Sequence, residues 1–230
     1  MNADPLVSIV VPVLDEAREL PELLDHLATL PGRFEVVVVD GGSRDGTPSI
    51  AREHGLRPAV LASSGRAHQL NAGAAAANGE LIAFLHADTR LPRDAYDSLT
   101  GALRDFAVAG GNFALQFGGG DRFSRILGRW YAIQRRLGIY YGDSVIWVRA
   151  STFAALGGYR PLPIMDDYDF VRRLERRGGT ACLPGPAVTS GRRWQSLGLP
   201  RTIGSWVVIR WLYLAGVPAA WLARLYRHAR

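Results

Sequence analysis

Acidic side chains follow apolar runs four times in this sequence: Asp15 and Glu16 after "VSIVVPVL", Asp40 at the end of "FEVVVVD", Asp88 in "LIAFLHAD", and Asp166 and Asp167 after "PIM". Acids at the ends of two adjacent parallel strands suit hydrogen bonding to a nucleotide base and ribose, with glycines such as Gly41 and Gly42 letting backbone approach the ligand. The same residues also have a plainer use. Asp40 can cap the turn "GGSRDG", and Asp15-Glu16 can place negative charge at the start of the next helix. His86 and Asp88 stand two apart on extended backbone, point the same way, and suit a hard divalent ion beside a diphosphate. By itself His86 reads as a satisfied histidine, and Asp88 is the better ligand. Asp166 and Asp167 are either ordinary helix-start charge or a general base, since a neighbouring carboxylate raises a carboxyl pKa toward the range that removes a proton from an alcohol.

The elements that must position these groups alternate. Strand-like runs at "VSIVVPV", "FEVVVVD", "PAVLA" and "ELIAFLH" are separated by helix-like stretches at "ARELPELLDHLATL", "GTPSIAREHG" and "GRAHQLNAGAAAAN". An unbroken valine run is a strand covered on both faces, so the alternation predicts an α/β fold with a mostly parallel, Rossmann-like central sheet flanked by helices. In such sheets the ligand crevice lies beyond the carboxyl ends of the strands, where these acids fall. After about Ala107 the order changes: "AVAGGNFALQF" reads as a strand, "DRFSRILGRWYAIQRRLG" as an amphipathic helix, "DSVIWVRA" as a strand and "MDDYDFVRRLERRG" as a helix with acids first and arginines last. The predicted organisation is one domain over residues 1–195, with a change of pattern at about 106, followed by a segment at 196–230.

Composition narrows the chemistry. The chain has 230 residues, 48% apolar and 21% charged, as expected for a globular protein. All 27 basic residues are arginine, which excludes Schiff-base and P-loop lysine mechanisms. The single Cys182 excludes an internal disulfide framework and a cysteine zinc cluster. The dinucleotide fingerprint G-x-G-x-x-G is missing, so NAD is a poor candidate. The start "MNADPLVSIVVPVLDEA" carries Asp4 and no basic leader, so no signal peptide and a cytoplasmic location are expected.

In order and spacing, "SIVVPVLDEA", "VVVVDGGSRDGT", "GRAHQLNAGAAAANGELIAFLHADTRLP" and "GGYRPLPIMDDYDFVRRLERRGG" resemble the inverting nucleotide-sugar glycosyltransferases of family 2, which have the GT-A fold. The resemblance runs from about Leu6 to Gly179. It implies that Pro12, Asp15, Glu16 and Asp40 form a uridine pocket and that Arg66 contacts nucleotide or phosphate. It further implies that Asp88 is the metal-binding acid of the D-x-D motif, for Mg²⁺ or Mn²⁺, and that Asp167 is the base of the E-D motif. Asp166 stands where Glu is usual, and His86 where Asp is usual. Arg192, Arg193 and Trp194 resemble an R-W element that touches diphosphate and acceptor, although the flanking glutamine pattern is missing. The resemblance further implies a nucleotide-binding half to about 106 and an acceptor half over 107–195, in which the region around Asp121 to Asp143 faces the acceptor. The "HADTRLP" form resembles a bacterial subgroup whose genes accompany radical-SAM or selenium-related domains. The implied donor is a UDP-sugar, the acceptor is unknown and lipid-linked acceptors are open to it, and nucleic acid is not an expected partner.

The basic end carries no Asp or Glu after Glu175, and from Arg201 tryptophans and tyrosines interleave with arginines. Arg210 and the break at Gly216-Val217-Pro218 leave too short an apolar run to span a bilayer. Two amphipathic helices at the inner face of an anionic membrane, or helices packed on the domain or in a homodimer, are the expectations. A sugar-phosphate nucleotidyltransferase is the rival enzyme, against which the missing lysine counts. A non-catalytic lipid or polyanion adaptor on a transferase fold is the rival from another class, kept open by His86.

Overall fold

The computed structural model describes residues 4–56, 59–60, 65–191 and 198–228. Its frame is an eight-stranded sheet in the order β3-β2-β1-β4-β7-β6-β8-β5. The strands are β1 (Val7–Val13), β2 (Phe34–Asp40), β3 (Ala59–Val60), β4 (Leu81–Phe84), β5 (Thr89–Arg90), β6 (Val108–Phe117), β7 (Ile146–Arg149) and β8 (Gly179–Thr189). β1 runs parallel to β2 and β4, and β2 to β3, which forms the parallel half of the sheet. β7 is antiparallel to both β4 and β6 and stitches the second half to the first within one sheet. β8 is parallel to β6 and antiparallel to the short β5.

Helices cover both faces, which is why the valine runs need no polar alternation. Val7, Ile9, Val11 and Val13 of β1 pack with Leu20, Leu23, Leu24 and Leu27 of α1 (Leu20–Thr29) and with Leu99 of α4 (Ala95–Leu103). Val10 points the other way, as the period of two requires, and meets Ala67 and Leu70 of α3 (Arg66–Ala76). That layer continues to Phe170, Val171 and Leu174 of α7 (Asp166–Arg177). Gly73 lets α3 lie against the sheet, because a Cβ there would sit 2.3 Å from Val10 Cγ1. The remaining helices of this part are α2 (Thr47–Glu53), α5 (Arg122–Arg136) and α6 (Ala150–Leu156). Asp121 caps α5 by accepting from Ser124 N at 2.7 Å.

The basic end forms α8 (Leu199–Leu214) and α9 (Ala219–His228), broken at the expected Gly-Val-Pro. Their inner faces pack on the domain. Trp206 meets the Tyr131 ring edge-on at 5.6 Å, Arg210 donates to Gln134, and Tyr213 Oη donates to Asp169 at 3.0 Å. Their outer faces leave Val208, Trp211, Leu214, Trp221 and Leu225 exposed. No helix among the described residues is long and apolar enough to cross a membrane.

Candidate active site

The register Val13↔Asp40 sets the ends of β1 and β2 level, and Leu85 N donating to Val10 O carries the chain after β4 along the same edge. Beyond this edge lies a cleft of about 270 Å³ lined by Pro12, Glu16, Arg66, His86, Asp88 and Ser190, among others. Gln69 clamps its floor. The buried amide donates to Val13 O at 2.7 Å and Val39 O at 3.0 Å, tying the two strand ends together.

Asp15 and Asp40 organise the loops beside the cleft and are not among its lining residues. Asp40 is buried and accepts from Gly42 N, Ser43 N and the Ser43 hydroxyl. Asp15 accepts from Arg44 N at 2.7 Å and donates its own N–H to Ser43 Oγ at 2.9 Å. The two acids therefore fasten the β1 and β2 loops to each other. Glu16 N donates to the Thr47 hydroxyl at the start of α2, which extends the same link.

On the other side of the cleft α7 begins with both carboxylates of the acidic pair buried. Arg66, at the first turn of α3, donates to Asp166 from Nε at 3.0 Å and from Nη2 at 2.5 Å, and Nη2 also lies 3.2 Å from Asp167 Oδ2. Desolvation works against the guanidinium charge, and the carboxylates of Asp167 and Asp166 overcome it and hold the Arg66 pKa well above its ordinary value. Asp167 also accepts from Gly142 N at 3.1 Å and from Tyr168 N at 2.7 Å. One residue beyond Gly142, Asp143 faces His86 Nδ1 at 3.4 Å and accepts from the Tyr131 hydroxyl at 3.5 Å. Burial first, and then the Asp143 charge, push the Tyr131 pKa well above its ordinary value, so the phenol stays a donor.

Backbone strain gathers here. Among the described residues the non-glycine positions with positive φ are Asp15 at 54°, Val145 at 55° and Met165 at 66°. Each adjoins a candidate group: Met165 precedes Asp166, Val145 follows the turn holding Asp143, and Asp15 is itself one. Such conformations cost about 1–3 kcal/mol each and persist where the surroundings enforce them. Two-way bonding between Asn71 of α3 and the backbone N and O of Tyr159, at 2.8 Å each, helps enforce the loop that enters α7.

The acidic pair opens onto a larger cavity of about 560 Å³. Arg66, His86 and Asp143 line both spaces, so they form the partition where two chambers meet. The second chamber is walled by Tyr131, Tyr141, Trp206, Ile209 and Tyr226, and by the loop Leu162–Met165.

Among the described residues no three or more His, Cys, Asp and Glu side chains are arranged to hold a metal ion by themselves. That donor chemistry still fits an ion delivered with its nucleotide, since Mg²⁺ commonly takes one or two carboxylates plus phosphate oxygens and water. Asp88 supplies such a carboxylate on the cleft wall, with its backbone O held by Ser190 N at 3.2 Å. His86 lines the same cleft, but the two residues do not share extended backbone: β4 ends at Phe84, a turn closed by Thr89 N donating to His86 O at 3.1 Å carries Asp88, and His86 Nδ1 is turned to Asp143.

The profile of Glycosyl transferase family 2 matches residues 8–157. The chain belongs to that family. Among solved structures it is similar to a mannosyltransferase of Pyrobaculum calidifontis in complex with GDP-Man and Mn²⁺, with a TM-score of 0.63 and 25% identity over 82% of this chain and 57% of that one. It shares its fold with S. aureus TarS 1-349 in complex with UDP-GlcNAc, with a TM-score of 0.66 and 17% identity over 80% of this chain and 58% of the other. In sequence it is similar to a beta-monoglucosyldiacylglycerol synthase of Nostoc sp., 28% identical over 89% of this chain and 51% of that protein. The chain spans about half or less of the length of the curated relatives it matches. These likenesses agree with the α/β architecture expected from strand alternation and with the GT-A fold that the resemblance implies.

The structure thus brings Pro12, Glu16, Arg66, His86, Asp88, Asp143, Asp166 and Asp167 to one connected site, with Asp15 and Asp40 in the loops beside it. Arg192, Arg193 and Trp194 lie outside the described residues. Gln69, Asn71, Tyr131 and the aromatic chamber are additions that residue spacing did not single out. Gln69 and Asn71 sit within "GRAHQLNAGA", whose polar residues on an otherwise small-residue helix were the available signal. The chamber depends on which face of α8 and α9 turns inward, and alternating aromatic and basic residues do not disclose that.

Proposed function

We propose that this chain transfers a sugar from a nucleotide-sugar donor, UDP-linked, to an acceptor hydroxyl with inversion at the anomeric carbon. The observation that carries the reading is the partition: a polar cleft and a second chamber meet at Arg66, His86 and Asp143, with Asp167 next to Arg66 on the side of the second chamber. The base and ribose are assigned to the side of Pro12 and Glu16, where Asp15 and Asp40 hold the loops. The acceptor is assigned to the second chamber. Its hydroxyl loses its proton to Asp167 while its oxygen bonds to the anomeric carbon, and the bond from that carbon to the diphosphate oxygen breaks as the nucleoside diphosphate leaves.

Of the acidic pair, Asp167 suits the base because Asp166 is taken up bidentately by Arg66, while Asp167 keeps a more exposed carboxylate. Asp166 then acts with Arg66 to fix the pair and limit its repulsion. Asp88, with His86 beside it, would hold a divalent ion that supplies positive charge to the departing diphosphate. The Mn²⁺ complex of the Pyrobaculum mannosyltransferase supports a metal-assisted reaction. The relative that makes a glucosyl lipid supports a membrane-proximal acceptor, and the exposed Trp211 and Trp221 support peripheral attachment through α8 and α9.

The test is calorimetric binding of UDP, GDP and their sugars with and without Mn²⁺, followed by measurement of nucleoside diphosphate release. Metal-strengthened binding of UDP over GDP supports the reading. Pyrophosphate release from a nucleoside triphosphate would establish the nucleotidyltransferase instead, and absence of any nucleotide binding would leave the adaptor.

A further inference from the structure

The two chambers differ in chemistry. In the larger one the charged groups gather at a single corner, where Asp143, Asp166 and Asp167 stand with Arg66 and His86. Away from that corner the lining is Tyr131, Tyr141, Trp206, Ile209, Tyr226 and the apolar loop Leu162–Met165. Among the described lining residues three carboxylates stand against the guanidinium of Arg66, which is engaged with two of them, while Arg210 is taken up by Gln134 and Tyr141 and does not line the chamber. An anionic acceptor group would meet like charge there, while a neutral hydroxyl would meet an acceptor for its proton. The cavity, about 560 Å³, falls in the range of small-molecule pockets, and desolvating an apolar body against its aromatic walls is favourable.

Resting on the reading of this site as a glycosyl-transfer centre, we infer that the larger chamber recognises a neutral alcohol carried on an apolar body. The α8–α9 hairpin supplies specificity for it through Trp206, Ile209 and Tyr226. Those residues belong to the elements whose outer faces carry Trp211 and Trp221. The hairpin therefore has two aromatic faces with separate tasks, the inner one closing on the acceptor's body.

Ala223 decides the matter experimentally. It lines the chamber from α9 and is only partly buried, so Ala223→Trp fills the space from a surface helix without cutting into the sheet core. Thermal shift and calorimetry would be run on the whole chain with geraniol, geranyl phosphate, 2-naphthol and glycerol, each with and without UDP and Mn²⁺. Geraniol, 2-naphthol or both should bind, and each more tightly than glycerol. Geranyl phosphate should bind more weakly than geraniol despite sharing its body. Ala223→Trp should weaken the alcohols by about tenfold or more and leave UDP binding unchanged. Trp211→Ala, on the exposed face, should leave alcohol binding unchanged. Preference for geraniol over 2-naphthol would identify a chain-like body, and the reverse a flat aromatic one.

Tighter binding of geranyl phosphate, equal binding of glycerol, or alcohol binding lost in Trp211→Ala but kept in Ala223→Trp would overturn the inference. Failure of UDP to bind would count against the donor assignment alone, since the titrations without nucleotide still decide what the chamber accepts.

Discussion

Arg66 reaches Asp166 across a hundred residues of chain and holds its carboxylate with two nitrogens, Nε at 3.0 Å and Nη2 at 2.5 Å. A planar guanidinium makes that fork, and an ammonium cannot. Arg66→Lys therefore keeps the charge and loses the fork, so Asp166 is held by a single contact and Asp167 beside it is less firmly placed. Turnover should fall by about tenfold or more, since a small misplacement of a reacting group is costly, with UDP affinity little changed. Unchanged turnover with weakened UDP binding would return Arg66 to the phosphate-contacting role that the family resemblance implies.

Asp167→Asn keeps the side chain's shape and removes its ability to accept the acceptor's proton. Transfer should fall by about two to four orders of magnitude, the usual range for a positioned acid or base, while UDP binding by calorimetry stays intact. Asp143 and Asp166 are the nearest substitutes for the role. Near-normal turnover in Asp167→Asn, with loss in Asp143→Asn, would move the base to the carboxylate that faces His86.

Asp40 supports its turn from a buried position, so its removal should register as lost stability as well as weakened binding. Gly42 is exposed and Ser43 half-buried, so water replaces part of the lost acceptor and the cost is about 1 kcal/mol. Asp40→Ala should lower the midpoint of urea unfolding and weaken UDP binding in the same variant. Weakened UDP binding at wild-type stability would show direct contact with the base in place of loop support.

Asp88→Asn is the variant that separates metal from nucleotide. If Asp88 and the diphosphate share an ion, Mn²⁺ should tighten UDP binding in the wild-type protein and do so much less in the variant, because the carboxylate charge is gone. His86→Asp, which restores the residue usual in the family, should strengthen the metal dependence. UDP binding that is indifferent to Mn²⁺ in the wild-type chain would remove the metal from the proposal.

The strand ends were legible because apolar runs stop where polar chemistry starts: β1 and β2 fill their expected ranges, and Asp166-Asp167 opens a helix with arginines at its far end. Helices α4 and α6 and the strand β8 were not singled out. "GTACLPGPAVT" carries two prolines that argue against a strand, and its pairing with β6 tolerates them through irregular register between Phe113 and Leu115. The site was legible as residue types and illegible as partnerships. Nothing local in "GRAHQL" says that Arg66 meets α7, or that Gln69 clamps two strands, since both depend on how α3 is laid across the sheet.

Membrane attachment makes the last prediction, and the two faces of the hairpin decide how to test it. Trp221 and Leu225, one turn apart on α9, are 62% and 51% exposed, and Trp211 of α8 is 63% exposed, more large apolar surface than a solvent-facing hairpin requires. Arg224 lies over the Trp221 ring at 5.7 Å, so a cation and an aromatic share one spot, as an interfacial anchor requires. The neighbouring α5 adds exposed Arg125, Arg129 and Arg136 beside Ile133 and Leu137. Deleting the hairpin would uncover Tyr131 and open the chamber, so point changes on the outer face are the better probe. The whole chain should sediment with anionic vesicles at low salt. Each cation near such a surface contributes about 1 kcal/mol, and salt screens that attraction while sparing the apolar term. Binding should therefore weaken at high salt without vanishing. Trp211→Glu with Trp221→Glu should abolish sedimentation while nucleotide binding persists, since neither residue lines the site. If the wild-type chain ignores anionic vesicles at low salt, the outer face belongs to a protein partner or a second copy, which sedimentation equilibrium of the same pair of proteins would reveal.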